Sequence, residues 1–173
     1  NLWVGKAGGG LHRIKRGKFT TYTERDGLPG DFVQVISPAP DGSVWVGSMG
    51  GLSRYSGYAF TQYLSNEQLP IEGIAALHSS SDGTLWVGTS YGLSSIRNGE
   101  CRSYTITQGA SKGGVRGIAE DREGRLLLTT RMGLLVSTRP TDSKPTFRPY
   151  GDSASALCQP LWSIGVSRHT GRA

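Results

Sequence analysis

Three histidines and two cysteines are the side chains of this sequence best suited to acid–base, nucleophilic or metal chemistry. They are His12, His78, His169, Cys101 and Cys158. A zinc site needs closely spaced ligand pairs, and the cysteines stand far apart with no second pair. A disulfide between them is an alternative in an oxidising compartment. The histidines fall at different positions of the repeat described below, so we interpret them as surface or hairpin residues.

Two further segments resemble functional loops at first sight. The glycine run at residues 8–10 lacks the Lys-Ser/Thr pair and the second-glycine spacing of nucleotide-binding loops. Residues 80–86 superficially resemble the Asp-box of sialidases, but that motif separates its Asp and Gly by one residue, whereas Asp82 and Gly83 are adjacent. We interpret both segments as hairpin turns. The sequence therefore predicts no catalytic residue, no metal and no cofactor.

Composition narrows the class of protein. The chain has 173 residues, of which 26 are glycine, and 19 Lys and Arg against 13 Asp and Glu give a net charge of +6. No apolar run reaches the 18 or more residues of a membrane span. The small positive charge is far from that of a nucleic-acid-binding protein. We interpret its main cluster, at residues 13–18, as a charged hairpin edge rather than a phosphate-binding patch. The chain opens at Asn1 directly on a strand-like stretch, which predicts that it is part of a longer protein.

The elements that must position any site follow from a repeat of about 41 residues. A Leu-Trp-Val-Gly stretch begins each unit, at residues 2–5, 44–47, 85–88 and, degraded, 126–129. A Gly-Leu pair follows at residues 10–11, 51–52, 92–93 and 133–134. An aromatic pair comes next, at Phe19 and Tyr22, Phe60 and Tyr63, Cys101 and Tyr104, and Phe147 and Tyr150. A strand with aliphatic residues at its first and fourth positions then recurs. It reads Val-x-x-Ile at residues 33–36 and 115–118, Ile-x-x-Leu at 74–77 and Leu-x-x-Ile at 161–164.

Each unit is predicted to contain four short strands joined by hairpins. We label them a (Val-x-x-Ile), b (Leu-Trp-Val-Gly), c (Gly-Leu) and d (Phe-x-x-Tyr). Asp41-Gly42 and Asp82-Gly83 predict tight turns between strands a and b, in which both central residues have positive φ. The glycine that ends strand b permits close backbone approach. Cys101, which replaces a phenylalanine, is expected to fill an aromatic pocket.

Strand b is apolar on both faces, so it must be covered on both sides. Face-to-face stacking of small four-stranded sheets achieves this, and the repeat length fits one propeller blade. We predict an all-β fold: a β-propeller of four-stranded antiparallel blades, with about four blades' worth present. The chain is one domain, 1–173, with repeats at approximately 2–43, 44–84, 85–125 and 126–173.

An isolated part of a propeller exposes two apolar blade faces. Three arrangements would cover them: further blades of a longer chain, a second copy, or pairing of the last a strand near Leu161–Val166 with residues 2–5 in a compact ring. We favour an incomplete propeller.

The repeat resembles that of the two-component regulator propeller family. Shared features include the Leu85–Thr89 strand, Gly92-Leu93, Phe19 with Tyr22, and Asp26–Pro29. The resemblance implies a propeller in the extracytoplasmic sensor region of bacterial membrane receptors, upstream of a histidine kinase or diguanylate cyclase. It also implies oligosaccharides as a frequent class of signal. The motif weakens toward the C-terminus, where the fourth b strand has neither Trp nor Gly.

A binding surface is expected where the b–c hairpins and d–a crossovers meet around the central channel. The candidate ligand-binding residues there are Lys6, Arg25, Asp26, Met49, Tyr91 and Arg131. They vary between units while the landmarks do not, as expected for loops on a rigid scaffold. Aromatic and Arg side chains at such positions suit sugar rings or acidic groups.

We therefore predict a non-catalytic, ligand-sensing module of a bacterial two-component-type receptor, located in the periplasm. The expected partners are an oligosaccharide or other small ligand, and a second copy bound through the open blade faces. Nucleic acid is not expected, and a membrane is expected only through parts of the parent protein outside this chain. Two alternatives are a propeller lyase or glycosidase, and a scaffold that mediates only protein interaction.

Overall fold

The computed structural model describes residues 1–65, 73–104, 106–108, 111–112, 114–131, 133–138 and 145–150. Within these ranges the chain is built of antiparallel strands, with one short 3-10 turn at Glu24–Asp26. The prediction of an all-β fold is confirmed. No helix of the described residues is long and apolar enough to cross a membrane.

The strands form four sheets of three or four strands and one two-stranded hairpin, each made of neighbours in sequence. The first sheet contains β1 (Leu2–Lys6), β2 (Gly10–Lys15) and β3 (Lys18–Tyr22). The second contains β4 (Val33–Pro38), β5 (Val44–Ser48), β6 (Gly51–Tyr55) and β7 (Phe60–Ser65). The third contains β8 (Ile74–Ser79), β9 (Leu85–Thr89), β10 (Gly92–Arg97) and β11 (Glu100–Tyr104). A small hairpin of β12 (Thr107–Gln108) and β13 (Ser111–Lys112) precedes the fourth sheet, which contains β14 (Val115–Glu120), β15 (Leu126–Thr130), β16 (Gly133–Ser137) and β17 (Phe147–Pro149).

This strand order is that of a partial propeller. The first sheet holds strands b, c and d, and each later sheet holds a, b, c and d in spatial order. The sheets therefore begin at strand a, whereas the sequence repeats begin at strand b. The last predicted a strand, near Leu161–Val166, lies outside the described residues.

The cores of the molecule lie between successive sheets. Trp3 packs with Val44 and Val46 between the first and second sheets. Trp45 lies with Leu85 and Val87 between the second and third. Trp86 lies with Leu126 and Leu128 between the third and fourth. These three tryptophans thus point forward to the next sheet, while the apolar residues that flank Trp45 and Trp86 in the repeat point back to the preceding one.

The glycine of strand b is required by close packing between sheets. A Cβ atom on Gly47 would lie 2.8 Å from Cγ1 of Val35 and 3.0 Å from Cγ2 of Ile74, which begins strand a of the next sheet. Such distances are too short for an unshifted side chain. A Cβ on Gly5 or Gly88 would meet the first residue of the next strand a in the same way.

The fourth sheet reverses this arrangement. Thr129 stands where the other sheets have the strand-b glycine, and its cross-strand partner is Gly117. In the second and third sheets the glycine faces Val35 or Ala76. A Cβ on Gly117 would lie 2.6 Å from Oγ1 of Thr129, so the small residue has moved from strand b to strand a.

The predicted geometry of the Asp-Gly turns is wrong in one respect. Gly42 has a φ of 82° and Gly83 a φ of 84°, but neither Asp41 nor Asp82 has a positive φ. The turn is longer than two residues: Ala39 N–H donates to Ser43 O, and Gly42 N–H to Ala39 O. The aspartate is instead suited to its place because its carboxylate accepts hydrogen bonds within the turn. Asp41 Oδ1 accepts from Ser43 N at 3.0 Å, and Asp82 Oδ1 from Thr84 N at 2.9 Å.

Cys101 does not fill an aromatic pocket, so that expectation is wrong. The residue is exposed, and it forms no disulfide within the part of the chain that the structure describes. Phe19, at the same position of the first sheet, is also 63% exposed. Phe60 and Phe147, at the same position of the second and fourth sheets, are partly buried against the cores, so the position is covered there and not at Cys101. Burial of the sulfur still raises the pKa of the Cys101 thiol above its ordinary value. Cys158 and the alternative disulfide lie outside the described residues.

Candidate ligand-binding face

The b–c hairpins place four of the predicted ligand-binding residues at one end of the sheets. Lys6 ends β1, and Met49, Tyr91 and Arg131 lie in the corresponding turns of the next three sheets. All four are exposed, Met49 by 57% and Tyr91 by 50%. The structure thus distributes them along the b–c hairpins of successive blades, Lys6 at the end of strand b and the other three in the turn that follows it. Their role in binding remains a prediction.

The crossover from the first to the second sheet carries the other two predicted residues. Arg25 and Asp26 lie in the 3-10 turn and are exposed. Asp26 Oδ2 accepts hydrogen bonds from Thr23 N at 2.8 Å and from Thr23 Oγ1 at 3.1 Å. Asp26 therefore stabilises the start of the turn, a role that its place in the sequence did not reveal. Arg25 is left to face solvent.

Hydrogen bonds fix this crossover to the hairpins on both sides. Gly10 N–H, at the end of the first b–c hairpin, donates to Asp31 O at 2.8 Å. Met49 N–H, in the second b–c hairpin, donates to Phe32 O at 3.1 Å. Glu24 and Asp31 also exchange backbone-to-carboxylate hydrogen bonds within the crossover. The face around Arg25 is thus a preformed surface, which lowers the entropy cost of binding.

The two histidines that the structure describes, His12 and His78, do not form a common site. His12 donates to or accepts from Thr21 Oγ1 at 3.0 Å and stacks on Phe19 in the first sheet. His78 lies in strand a of the third sheet, with its Nε2 atom 3.1 Å from Glu120 Oε2 in strand a of the fourth. The interpretation of His78 as a surface or hairpin residue is wrong, because it is part-buried and links two sheets. His169 lies outside the described residues.

Metal-ligating side chains are not clustered in the described ranges. No group of three or more His, Cys, Asp or Glu side chains there could hold an ion. The Gly8–Gly10 run lies at the first b–c hairpin, and the Asp82-Gly83 pair lies in the a–b hairpin of the third sheet, both as predicted.

Comparison with known proteins places this fold in context. No family model matches the sequence, and no curated protein matches it significantly. Among solved structures, the chain is 25% identical to the extracellular domain of BT4673 from B. thetaiotaomicron, which is assigned as a one component or hybrid two component system, with TM-scores of 0.68 and 0.67. The match covers 87% of this chain and 21% of that protein. This similarity confirms the resemblance to the two-component regulator propeller family.

Two more solved structures share the architecture. The extracellular domain of BT3049, assigned as a hybrid two component system of B. thetaiotaomicron, has 22% identity and a TM-score of 0.62 over 87% of this chain and 20% of its own. Virginiamycin B lyase from Staphylococcus aureus has 16% identity and a TM-score of 0.64 over 83% of this chain and 49% of its own. At these identities the likeness shows the fold alone. The chain spans about a fifth of the length of the receptor domains.

Proposed function

We propose that this chain is part of the extracytoplasmic sensing domain of a bacterial two-component-type receptor, and that it acts by binding and not by catalysis. The observation that carries the proposal is the 25% identity to the extracellular domain of BT4673, at a TM-score of 0.68 over 87% of the chain. A periplasmic location follows from the same kinship. The output domain would be a histidine kinase or a diguanylate cyclase.

Ligand binding would occur at the face formed by the b–c hairpins and the crossover. Its exposed residues combine cationic side chains with the ring of Tyr91, and the crossover is held in place by hydrogen bonds to two hairpins. An oligosaccharide or another small ligand with acidic groups suits this mixture. Contact there would reposition the receptor subunits and pass the signal across the membrane.

A glycan array probed with the labelled, purified chain tests this proposal. We expect specific retention of a few oligosaccharides, and loss of that retention in a Tyr91→Ala, Arg25→Ala double variant. Lys15→Ala, in the β2–β3 hairpin at the other end of the first sheet, is the matched control. Retention that survives the double variant would contradict binding at this face.

The enzyme alternative is favoured only by fold likeness to a lyase. In the described residues, His78 and Glu120 bring an imidazole and a carboxylate into contact, with Nε2 3.1 Å from Oε2. Turnover of a glycan or a lactone by the purified chain, abolished by Glu120→Gln, would establish an enzyme and overturn the proposal. Unchanged substrates after prolonged incubation would support binding.

We also propose that a second copy of the chain associates through the open face of the first sheet. Leu2 and Val4 are 58% and 43% exposed, and Phe19 in the same sheet is 63% exposed. In the second and third sheets the residues equivalent to Leu2 and Val4 lie in a core against the tryptophan of the preceding sheet. A second copy would cover Leu2 and Val4 in the same way, with the face of one of its sheets that otherwise packs against the next sheet.

Sedimentation velocity tests the association. The wild-type chain is expected to self-associate, and Val4→Lys with Phe19→Ser to sediment as a monomer. Phe32→Ser, an exposed aromatic residue in the crossover, is the control. Stable association without any glycan ligand would favour the scaffold alternative over sensing.

A further inference from the structure

A cleft opens on the second sheet, at the end opposite the b–c hairpins. Its volume is about 360 Å³, within the roughly 300–1,000 Å³ of small-molecule pockets. Its polar lining is Asp41, Ser43, Arg54, Ser56, Thr61 and Tyr63. These residues come from the a–b hairpin, the c–d hairpin and the outer strands, so the cleft is separate from the ligand-binding face proposed above.

The cleft exists because neighbouring blades diverge outward. The second and third sheets pack through β4 and β5 against β8, their inner strands. Arg54 and Thr61 are the cross-strand neighbours of Trp45 in β6 and β7 and share its face, toward the third sheet. Trp45 is buried, whereas the side chain of Arg54 remains 29% exposed.

The gap between the first and second sheets shows how such a cleft can be closed. There Arg13 holds the position of Arg54, and the Tyr55 ring of the second sheet covers it, with Arg13 Nη1 donating to Tyr55 Oη at 3.1 Å. The third sheet has Ile96 at the position of Tyr55. Ile96 is shorter and has no hydroxyl, so it neither covers Arg54 nor bonds to it.

The charged groups of the cleft form a fixed, neutral pair. Arg54 Nε donates to Ser43 Oγ at 2.8 Å, and Nη2 donates to Asp41 Oδ2. Ser43 Oγ in turn donates to Asp41 Oδ1 at 2.6 Å. The hydrogen bonds from Ser43, and then the Arg54 charge, lower the pKa of Asp41, so its carboxylate is ionised at neutral pH. Donors and acceptors are therefore both held in place, without a net charge that would attract an anion.

An exposed aromatic ring stands beside this pair. The Tyr63 ring packs edge-on to Trp45 with centroids 4.7 Å apart and is 36% exposed. Trp45 also lies under the Arg54 guanidinium, 5.1 Å from ring centroid to Cζ. Both cleft groups are thus oriented by the same buried indole. Within the described residues, the Tyr63 hydroxyl makes no hydrogen bond.

We propose that this cleft binds a neutral, polyhydroxylated ring, such as one pyranose unit of a glycan. Such a ring has an apolar face that packs on Tyr63, and hydroxyl groups that both donate to Asp41 and accept from Arg54. An anion in the cleft would be repelled by the negative charge of the Asp41 carboxylate. An apolar ligand would bury the ion pair without satisfying its remaining hydrogen bonds, at a cost.

Titration of the purified chain with three methyl glycosides, those of glucose, mannose and galactose, tests the proposal. Inorganic phosphate and glucuronate are the charged comparison probes. Because Trp45 contacts both cleft groups, indole fluorescence reports occupancy, and the signal must disappear in Trp45→Phe. We expect at least one glycoside to saturate with a dissociation constant of about 1–20 mM, and to bind more tightly than either anion.

Variants locate the binding. Tyr63→Ala and Arg54→Lys are each expected to weaken it about tenfold or more, since lysine lacks the planar fork. Tyr150→Ala, the same position of the fourth sheet, should leave it unchanged, with folding checked by circular dichroism. Binding that is insensitive to Tyr63→Ala, preference for phosphate, or no saturation by any glycoside up to roughly 100 mM would each overturn the proposal. Sensitivity to Tyr91→Ala alone would instead support the other face.

Discussion

Arg13 of the first sheet and Tyr55 of the second are joined by a hydrogen bond from Nη1 to Oη, 3.1 Å long. The guanidinium also lies over the Trp3 ring, with Cζ 5.2 Å from its centroid. Tyr55 Oη donates to Gly57 O at 2.8 Å and lies 3.1 Å from the hydroxyl of Tyr22. One phenolic oxygen therefore connects two blades, and burial is the main reason that its pKa is raised.

Tyr55→Phe is expected to lower the free energy of unfolding by about 1–3 kcal/mol, because Arg13 and Gly57 O lose a buried partner while the ring is kept. Urea denaturation followed by circular dichroism measures the change. Tyr58→Phe, at a side chain that is 97% exposed, is the control and should stay within about 0.5 kcal/mol of wild type. Equal effects of the two variants would contradict a role for this hydrogen bond between blades.

Gly47→Ala is expected to destabilise the chain by about 1–3 kcal/mol, since the new Cβ would overlap Val35 and Ile74 in a packed region. Thermal unfolding measures the loss. Gly9→Ala is the matched control, because its Cβ would meet only the flexible side chain of Lys6. If Gly47→Ala were as stable as Gly9→Ala, the blades would not approach as closely as the structure indicates.

The repeat predicted the fold because its landmarks are the residues that make the cores between blades. A tryptophan flanked by apolar residues requires cover on both faces, and Trp45 and Trp86 are buried between sheets in the predicted way. The degraded fourth strand b looked like a weakening of the pattern. It is compensated by Gly117 opposite Thr129, and this exchange depends on cross-strand register, which the sequence alone does not supply.

The cleft near Arg54 was missed for a similar reason. Asp41 and Arg54 are far apart along the chain and meet only because a hairpin aligns β5 with β6. One usable signal was present: Arg13 and Arg54 occupy equivalent positions of the repeat, whereas the third unit has Ser95. The exposure of Cys101 was also unpredictable from the repeat, because Phe60 and Phe147 at the same position are partly buried.

Asp41→Asn is expected to change how stability depends on pH. The folded-state pKa of Asp41 is lowered, chiefly by the hydrogen bonds from Ser43. Its ionised form therefore stabilises the fold above its ordinary pKa of about 3.9, and this contribution is lost as pH falls through the lowered value. The variant should be less stable at pH 7, by less than about 1 kcal/mol for so exposed a pair.

Chemical denaturation between pH 7 and pH 2 checks this prediction. The difference between wild type and Asp41→Asn should shrink as the pH drops below about 4. Glu100→Gln, which removes one exposed carboxylate from an ion pair with Arg102, controls for the change in net charge. A difference that is constant over the whole range would mean that the Asp41 charge does not contribute.

Trp86 offers the most direct measure of the core between the third and fourth sheets. The side chain is 2% exposed, and its buried Nε1 atom has no hydrogen-bond partner among the described residues. Trp86→Ala is expected to cost about 3–5 kcal/mol through the cavity it leaves. Trp86→Phe should cost much less, because it removes an unsatisfied polar group together with part of the ring, and the loss of volume is then partly offset.

Urea unfolding of both variants provides the measurement, with Tyr91→Ala as the control for truncation of an exposed ring. The expected order of the free energy of unfolding is wild type and Tyr91→Ala highest, Trp86→Phe intermediate and Trp86→Ala lowest. If Trp86→Phe were as unstable as Trp86→Ala, the indole N–H would have to donate a stabilising hydrogen bond that the structure does not contain. A stable Trp86→Ala variant would contradict the burial of this ring between stacked sheets, because truncating an exposed ring costs little.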